Sequence, residues 1–248
     1  MRCFLDISYD GRDFHGWQSQ KNAYSVQQAI EEALEQLLQQ KVSITGSGRT
    51  DTGVHALQQI VHLDMDGERD LDKFVFQLNA VLPRSIAVKT AKKVKPEAHA
   101  RFDAISRRYH YYIHRHKDPF KEDRSYYFHR TLNLDAIRST CQLLLETKDF
   151  ESFSRVQTEV NHFLCDLHAC TWEVNEKGYV FTIKANRFLR GMVRAIVGTL
   201  LDVGLSKLSL ADFALIVGSK DRRAAGAAAP AHGLYLSEVN YPEDIYIN

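Results

Sequence analysis

Apolar positions along the first half of the chain alternate between strand and helix spacing. Residues 2–9 alternate as a strand that ends in a turn at Asp10. Ser25 and Gln28 have the spacing of a capping box, and the apolar positions over 26–38 then repeat with the helical period. Further elements are predicted as strands at 41–45 and 57–63, a helix near 70–80 and a strand near 86–94. This order is the split βαβ pattern of ferredoxin-like domains.

The second half repeats the same kind of succession. It predicts a strand of mixed aromatic and basic residues at 107–116, a helix at 134–145, a hairpin of 169–174 with 179–185, a long helix over 187–203, and a last short helix and strand ending near 239. Strands and helices mix without a regular βαβα run, which indicates an α+β fold. We therefore expect two ferredoxin-like halves, 1–104 and 105–248, which share one mainly antiparallel central sheet flanked by helices.

Composition places the chain among ordinary globular proteins. Of its 248 residues, 44% are hydrophobic and 25% are charged. No apolar run reaches bilayer length, and Asp6 interrupts the apolar stretch that a signal peptide would need, so a cytoplasmic protein is expected. The four cysteines are then expected to be reduced thiols. His162, Cys165, His168 and Cys170 lie within nine residues, too compressed for a typical structural zinc site, and no metal is predicted.

The net charge of +1 does not indicate a nucleic-acid partner, but the distribution of charge does. Residues 84–117 carry ten Lys or Arg against only Glu97 and Asp103, with histidines and tyrosines between them. A basic stripe with aromatic residues suits a phosphate backbone and an unstacked base. A solvated charged face is the alternative interpretation.

The segment 46–56 is the strongest candidate for chemistry. It places the carboxylate of Asp51 between Gly48 and Gly53, with Arg49 before it and His55 after it. Glycine allows unusual backbone angles and close approach of a ligand. A polar turn between two strands has a similar composition, so the loop alone leaves both interpretations open.

Three arginines follow a helical spacing later in the chain. Arg187, Arg190 and Arg194 are at i, i+3 and i+7 and would share one face of the long predicted helix. Such a face could be solvated, or its aligned guanidinium groups could bind phosphates.

Six separated motifs, in order, resemble the pseudouridine synthases that modify the anticodon arm of tRNA. They are Tyr9-Asp10-Gly11 with Gly16-Trp17-Gln18, Gly48-Arg49-Thr50-Asp51 with Gly53-Val54-His55-Ala56, His99-Ala100-Arg101-Phe102 leading to Arg107-Arg108-Tyr109, Lys184-Ala185-Asn186, Met192-Val193-Arg194, and Ala229-Pro230-Ala231 with Gly233-Leu234-Tyr235-Leu236. Arg84-Ser85 departs from the family pattern, and residues 155–170 match it poorly.

The resemblance implies an isomerase with an RNA-binding cleft, which converts uridine to pseudouridine at tRNA position 38, 39 or 40. Asp51 would be the catalytic carboxylate, either attacking the sugar or assisting loss of its C2′ proton. Because electrons stay within the substrate, no metal or redox cofactor is implied. A homodimer bound to tRNA is also implied, since one tRNA can contact both subunits in this family.

The resemblance also assigns roles to other side chains. Arg49 would fill the gap left by the flipped nucleotide or bind its phosphate. Tyr109 would stack on the uracil and could exchange the proton at C5. Arg194 would pair with Asp51 and keep it ionised. Thr50 and His55 would help to bind substrate, and the candidate contacts to the RNA backbone are Arg107, Arg108, Arg187 and Arg190.

Two other functions remain open at this point. One is a metal-dependent phosphodiesterase that uses Asp51, His55, His62 and Asp64. The other is a tRNA-binding or folding module without turnover. An RNA-binding module has no need for a carboxylate that faces phosphate, so Asp51 favours the enzyme.

Overall fold

The computed structural model describes residues 1–156 and 160–247. Its elements are, in chain order, β1 (Arg2–Tyr9), α1 (Val26–Leu38), β2 (Thr45–Gly46), β3 (His55–Asp64), α2 (Leu71–Val81), β4 (Ile86–Lys93), β5 (Ser106–His114), β6 (Tyr126–Tyr127), α3 (Leu134–Glu146), β7 (Leu167–Asn175), β8 (Gly178–Ala185), α4 (Met192–Gly204), α5 (Leu210–Ser219) and β9 (Leu234–Asn240). They form two compact units, Met1–Ser106 with the chain from Tyr235, and Arg107–Leu234.

The sheet of the first unit has the strand order β4-β1-β3-β9. β1 is antiparallel to β3 and β4, short β2 pairs antiparallel with β3, and β9 runs parallel to β3 with His55 opposite Tyr235. Alternate residues of β1, among them Cys3, Leu5 and Ile7, are buried. Helix α1 buries its apolar face, and its first turn is capped by Ser25, whose Oγ accepts from Gln28 N.

The sheet of the second unit has the order β5-β8-β7, all antiparallel, with β6 parallel to β5. Helix α4 is buried along nearly its whole length. α3 packs against β7 and α4, while Phe181 and Ile183 of β8 are fully buried. Each unit therefore combines a mainly antiparallel sheet with helices, and the predicted α+β class is confirmed.

The long helix predicted from residue 187 begins at Met192. Gly191, its N-cap, has a φ of 73°, a left-handed conformation that interrupts helix geometry. The prediction that Arg187 and Arg190 share a helical face with Arg194 is therefore wrong. The apolar residues Phe188 and Leu189 continue the helical spacing before Met192, and for this reason the sequence pattern predicts a start that is too early. The strand predicted at 41–45 is also shorter than expected, because only Thr45 and Gly46 pair as β2.

In the part of the chain that the structure describes, no helix combines the length and the apolar character needed to cross a bilayer. Within the poorly matching segment 155–170, residues 157–159 lie outside the described part.

Candidate active-site loop and arginine cluster

Asp51 lies in the loop that joins β2 to β3 in the first unit. The loop turns directly after it, since Val54 N donates to Asp51 O at 3.1 Å, and Gly53 has a φ of 76°. A Cβ added at Gly48 would meet nothing within 4 Å. Asp51 and Thr50 are half-buried and Arg49 is exposed. The loop thus presents a carboxylate beside an accessible guanidinium.

The segment after β1 braces this loop by close main-chain approach. Trp17 N donates to Thr50 O at 3.2 Å, and a Cβ at Gly16 would lie 2.5 Å from that oxygen. A Cβ at Gly11 would lie 2.1 Å from Val54 O. Only glycine at position 11 permits this approach without a shift of the backbone.

Side chains reinforce the same bracing. The hydroxyl of Tyr9 is 2.9 Å from Thr50 Oγ1. The fully buried Gln59 of β3 accepts from Ser47 Oγ at 2.8 Å and donates to Gly48 O at 2.8 Å. Sequence reasoning missed Gln59 as a support of the loop. Its signal in the sequence is weak, because Gln59 adjoins a second glutamine, Gln58, in a strand that also carries other polar residues; only the burial of Gln59 shows that its amide requires hydrogen-bond partners.

His55 lies beneath the loop and is only 2% exposed. Its Nδ1 accepts from Gly11 N at 3.0 Å, so the proton of the neutral ring is on Nε2. The ring stacks on Tyr235 with centroids 4.5 Å apart. This burial favours support of the loop over direct contact with substrate.

Asp10 approaches the same histidine from the surface, with Oδ1 3.3 Å from Nδ1. Burial alone would raise the pKa of Asp10, but hydrogen bonds from the side chain and backbone of Arg12, together with the charge of its guanidinium, outweigh burial, so the pKa lies below its ordinary value. Asp10 is therefore an ionised neighbour of the brace at neutral pH.

Tyr109 and Arg194, the other two predicted catalytic residues, belong to the second unit. Tyr109 lies on β5 opposite Ile183 of β8, and its half-buried ring meets Phe188 edge to face with centroids 5.1 Å apart. Arg194 lies in the first turn of α4. Its Nε donates to Ala229 O at 2.7 Å, and its own carbonyl accepts from Ala229 N at 2.9 Å.

Ala229 begins a stretch, here called the 229–233 segment, that is anchored again by Tyr111. The Tyr111 hydroxyl donates to Pro230 O at 2.8 Å, and the ring leaves no room for a Cβ at Gly233, which would lie 2.6 Å from Cζ. Tyr111 is fully buried, and burial raises its pKa, which keeps the hydroxyl protonated as a donor. The segment therefore fixes the direction of the Arg194 guanidinium.

Two of the predicted backbone-contact arginines meet at Asn186. Arg107 Nη1 donates to Asn186 O at 2.9 Å, and the Asn186 side chain accepts from Arg187 N at 2.7 Å. Arg108 is half-buried on β5, and exposed Arg190 lies just before α4. The second unit thus concentrates this charge at the start of β5 and at the loop that leads into α4.

Within residues 1–156 and 160–247, no group of three or more His, Cys, Asp or Glu is arranged to hold a metal ion. His55 and His62 are seven residues apart on β3, which is about 23 Å along a strand. In the compressed group of histidines and cysteines at 162–170, burial raises the pKa of the Cys165 thiol to about 11, which disfavours the thiolate that metals bind.

Comparison with known proteins matches the parts of the chain that contain the Asp51 loop and Arg194. A model of the tRNA pseudouridine synthase family matches residues 7–103 and 140–242, most of the chain. The chain belongs to this family. The synthase resemblance expected from the sequence motifs is thereby confirmed, and the protein is an isomerase. The first matched stretch contains the Asp51 loop, and the second contains Arg194 and the 229–233 segment.

Curated relatives extend the match over nearly the full length. A protein named tRNA pseudouridine synthase A from Porphyromonas gingivalis is 45% identical over 250 residues, which cover 99% of each chain. The protein of the same name from Bacillus subtilis is 40% identical over 245 residues, covering 97% of this chain and 99% of its own.

Proposed function

We propose that this synthase isomerises uridine to pseudouridine in the anticodon stem-loop of tRNA, at position 38, 39 or 40. The observation that carries the proposal is the Asp51 loop, a carboxylate held by backbone contacts beside an exposed arginine. Main-chain bracing supports a fixed carboxylate position, and a fixed position is what a reaction at one sugar carbon needs.

The chemistry requires no redox partner. The bond between C1′ and N1 of uridine breaks, the uracil turns, and C5 bonds to C1′ while its proton leaves and N1 gains one. Asp51 either attacks C1′ or removes the C2′ proton. Flipping the nucleotide costs a few kcal/mol, which Arg49 offsets by filling the gap or binding the phosphate.

Tyr109 and Arg194 are proposed to act in the same reaction. Tyr109 has a half-buried ring that can stack on uracil and a hydroxyl that can exchange the C5 proton. Arg194 is a fixed guanidinium, suited to orienting a carboxylate. Its pairing with Asp51 stays a prediction, as do direct substrate contacts by Thr50 and His55.

The remaining proposals concern RNA contacts and assembly. Arg107, Arg108, Arg187 and Arg190 are proposed to contact the RNA backbone, which makes binding steeply dependent on salt. A homodimer that binds tRNA across both subunits remains a prediction from family resemblance, and a cytoplasmic location remains a prediction from the sequence pattern.

The test is pseudouridine formation in tRNA incubated with purified protein in EDTA, mapped by carbodiimide labelling. Wild type should modify the anticodon stem-loop, and Asp51→Asn should not. Asp66→Asn, which removes an exposed carboxylate of the same unit, is the matched control and should be fully active. Salt-sensitive tRNA binding without pseudouridine would refute the proposal and favour a binding module.

A further inference from the structure

Residues 224–228 form a loop that leads into the 229–233 segment, and its side chains offer no hydrogen bonds. Four of its five residues are alanine and the fifth is Gly226. Methyl groups neither donate nor accept hydrogen bonds, and glycine leaves the backbone more freedom than any other residue. Because Ala229 O accepts from the Arg194 guanidinium, groups outside the loop have to fix the chain that precedes Ala229.

One face of α4 receives this loop. Thr199 is fully buried, and its Oγ1 accepts from Gly226 N at 3.0 Å. One residue earlier on the helix, a Cβ added at Gly198 would lie 1.8 Å from Ala227 O, so only glycine admits the carbonyl there without a shift of the backbone. The main chain of the loop therefore lies directly on α4, about one helical turn after Arg194.

Arg222 holds the same loop through its carbonyls. The residue is half-buried, and its Nη1 donates to Gly226 O at 3.0 Å and to Ala225 O at 3.3 Å. A hydrogen bond from an ionised donor is stronger than one between neutral groups. The neighbouring Arg223 instead pairs with Asp221 and is exposed. Of these two adjacent arginines, one binds the loop and the other binds a surface carboxylate.

We propose that Arg222 and Thr199 are positioning residues for Arg194. Arg222 binds the carbonyl of Gly226, and Thr199 binds its N–H. Three residues later, Ala229 bonds to Arg194 through both its carbonyl and its N–H. The direction of the guanidinium then depends on two side chains that need no contact with RNA. The effect on the reaction rests on the proposed function, while the hold on the loop does not.

The first test compares Arg222→Met with Arg223→Met in kcat and in the dissociation constant for tRNA. Both changes remove one positive charge, so their electrostatic effects on RNA binding are matched. Arg222→Met should lower kcat about tenfold, because a displaced loop misaligns the guanidinium, and it should bind tRNA as tightly as the control. Arg223→Met should keep the kcat of wild type. Thermal melting verifies that both variants are folded at the assay temperature.

A second variant breaks the same hold without a change of charge. Thr199→Val removes the acceptor of Gly226 N and should also lower kcat, by about threefold to tenfold. Equal kcat in Arg222→Met and Arg223→Met would overturn the inference. Weaker tRNA binding and a smaller salt dependence in Arg222→Met than in Arg223→Met, with unchanged kcat, would overturn it in favour of a phosphate contact.

A double-mutant cycle tests whether the effect passes through Arg194. Arg194→Lys lacks the Nε–H that donates to Ala229 O, so the position of the loop can no longer reach the side chain by this bond. In that background Arg222→Met should lower kcat by no more than about twofold. Losses that multiply would show that Arg222 acts independently of Arg194, and the inference would be wrong.

Amide hydrogen exchange tests the hold on the loop without the reaction. The N–H groups of Gly226 and Ala229 are both hydrogen-bonded and should exchange slowly in wild type. Arg222→Met should speed their exchange about tenfold, whereas Arg223→Met should leave it unchanged. Equal exchange in the two variants would overturn the inference. A wild type that shows this difference but forms no pseudouridine would refute the proposed function and leave the hold on the loop confirmed.

Discussion

The Asp51 loop of the first unit and the 229–233 segment of the second each help to hold a predicted catalytic side chain, but they do so differently. The loop is held largely by the main chain of a neighbouring segment, with Trp17 N on Thr50 O and Gly11 close to Val54 O. The 229–233 segment is held largely by side chains that reach its carbonyls, from Arg194 and Tyr111.

The difference determines which substitutions each region tolerates. Main-chain contact at the Asp51 loop depends on the absence of a Cβ at the bracing glycines, so added atoms should damage it. Side-chain contact at the 229–233 segment depends on particular donors, so removed atoms should damage it. Variants that add a methyl group and variants that remove a donor therefore test the comparison from both sides.

The largest effect is expected from Gly11→Ala. The new Cβ would lie 2.1 Å from Val54 O, and relief of that overlap requires a shift of about 1 Å at the base of the loop. A displacement of that size should lower the rate of pseudouridine formation about 100-fold. Overpacking should also lower the free energy of unfolding by about 2–3 kcal/mol. Single-turnover kinetics and denaturant unfolding measure the two effects.

Gly48→Ala is the matched control, because it adds a methyl group in the same loop where nothing lies within 4 Å. It should leave stability and rate close to wild type. If both alanine variants behave alike, close approach at Gly11 does not position Asp51, and the contrast between the two regions is lost.

The next largest effect is expected from Arg194→Lys. Lysine keeps the charge but lacks the Nε–H that donates to Ala229 O. Loss of this directed donor should lower kcat about tenfold to a hundredfold, with little change in tRNA affinity. Arg138→Lys on the exposed face of α3 is the control. An equal loss in both variants would mean that charge or fold, rather than the fixed guanidinium, is responsible.

The two regions also differ in how far the sequence predicts them. The Asp51 loop could be recognised because its residues are contiguous over 46–56. The 229–233 segment acts through Arg194 and Tyr111, which are 35 and 119 residues away from their acceptors, and no local pattern records such contacts. Similarly, the pattern over 234–239 predicts a strand, but it does not indicate that β9 pairs parallel with β3.

Helix and strand positions were largely predictable because each buries one periodic face. The start of α4 was not, because Phe188 and Leu189 continue the apolar spacing across the left-handed Gly191. Supporting residues such as Gln59 were missed for a related reason. Their function depends on which loop lies across the sheet, and that is a property of the folded chain.

The buried His62 of the first unit predicts a smaller effect, a dependence of the free energy of unfolding on pH. Burial, with the nearby charges of His99 and Arg2, lowers the pKa of His62 to about 4, and its Nδ1 accepts from Ala100 N. Between about pH 6.5 and pH 4 the unfolded chain therefore binds a proton that the folded chain does not. The free energy of unfolding should fall by about 2 kcal/mol as pH decreases through this window.

Denaturant unfolding of wild type, His62→Gln and His168→Gln at several pH values measures this effect. The His62 variant should lose much of the slope, whereas replacement of the exposed His168 should retain it. If the free energy of unfolding of His62→Gln depended on pH as steeply as that of wild type, protonation of His62 would not be the cause of the loss of stability.

The smallest effects should come from paired removal of one hydroxyl in each unit. Tyr111→Phe removes the donor to the half-buried carbonyl of Pro230 at a place where the fully buried Tyr111 ring keeps water away, and it should cost about 1 kcal/mol of stability. Tyr9→Phe removes the hydroxyl that is hydrogen-bonded to Thr50 Oγ1. Because Thr50 is half-buried and its hydroxyl can reach water instead, this change should cost about 0.5 kcal/mol. Thermal melting gives both values. A larger cost at Tyr9 would mean that the Asp51 loop also depends on side-chain donors, and it would remove the distinction between the two regions.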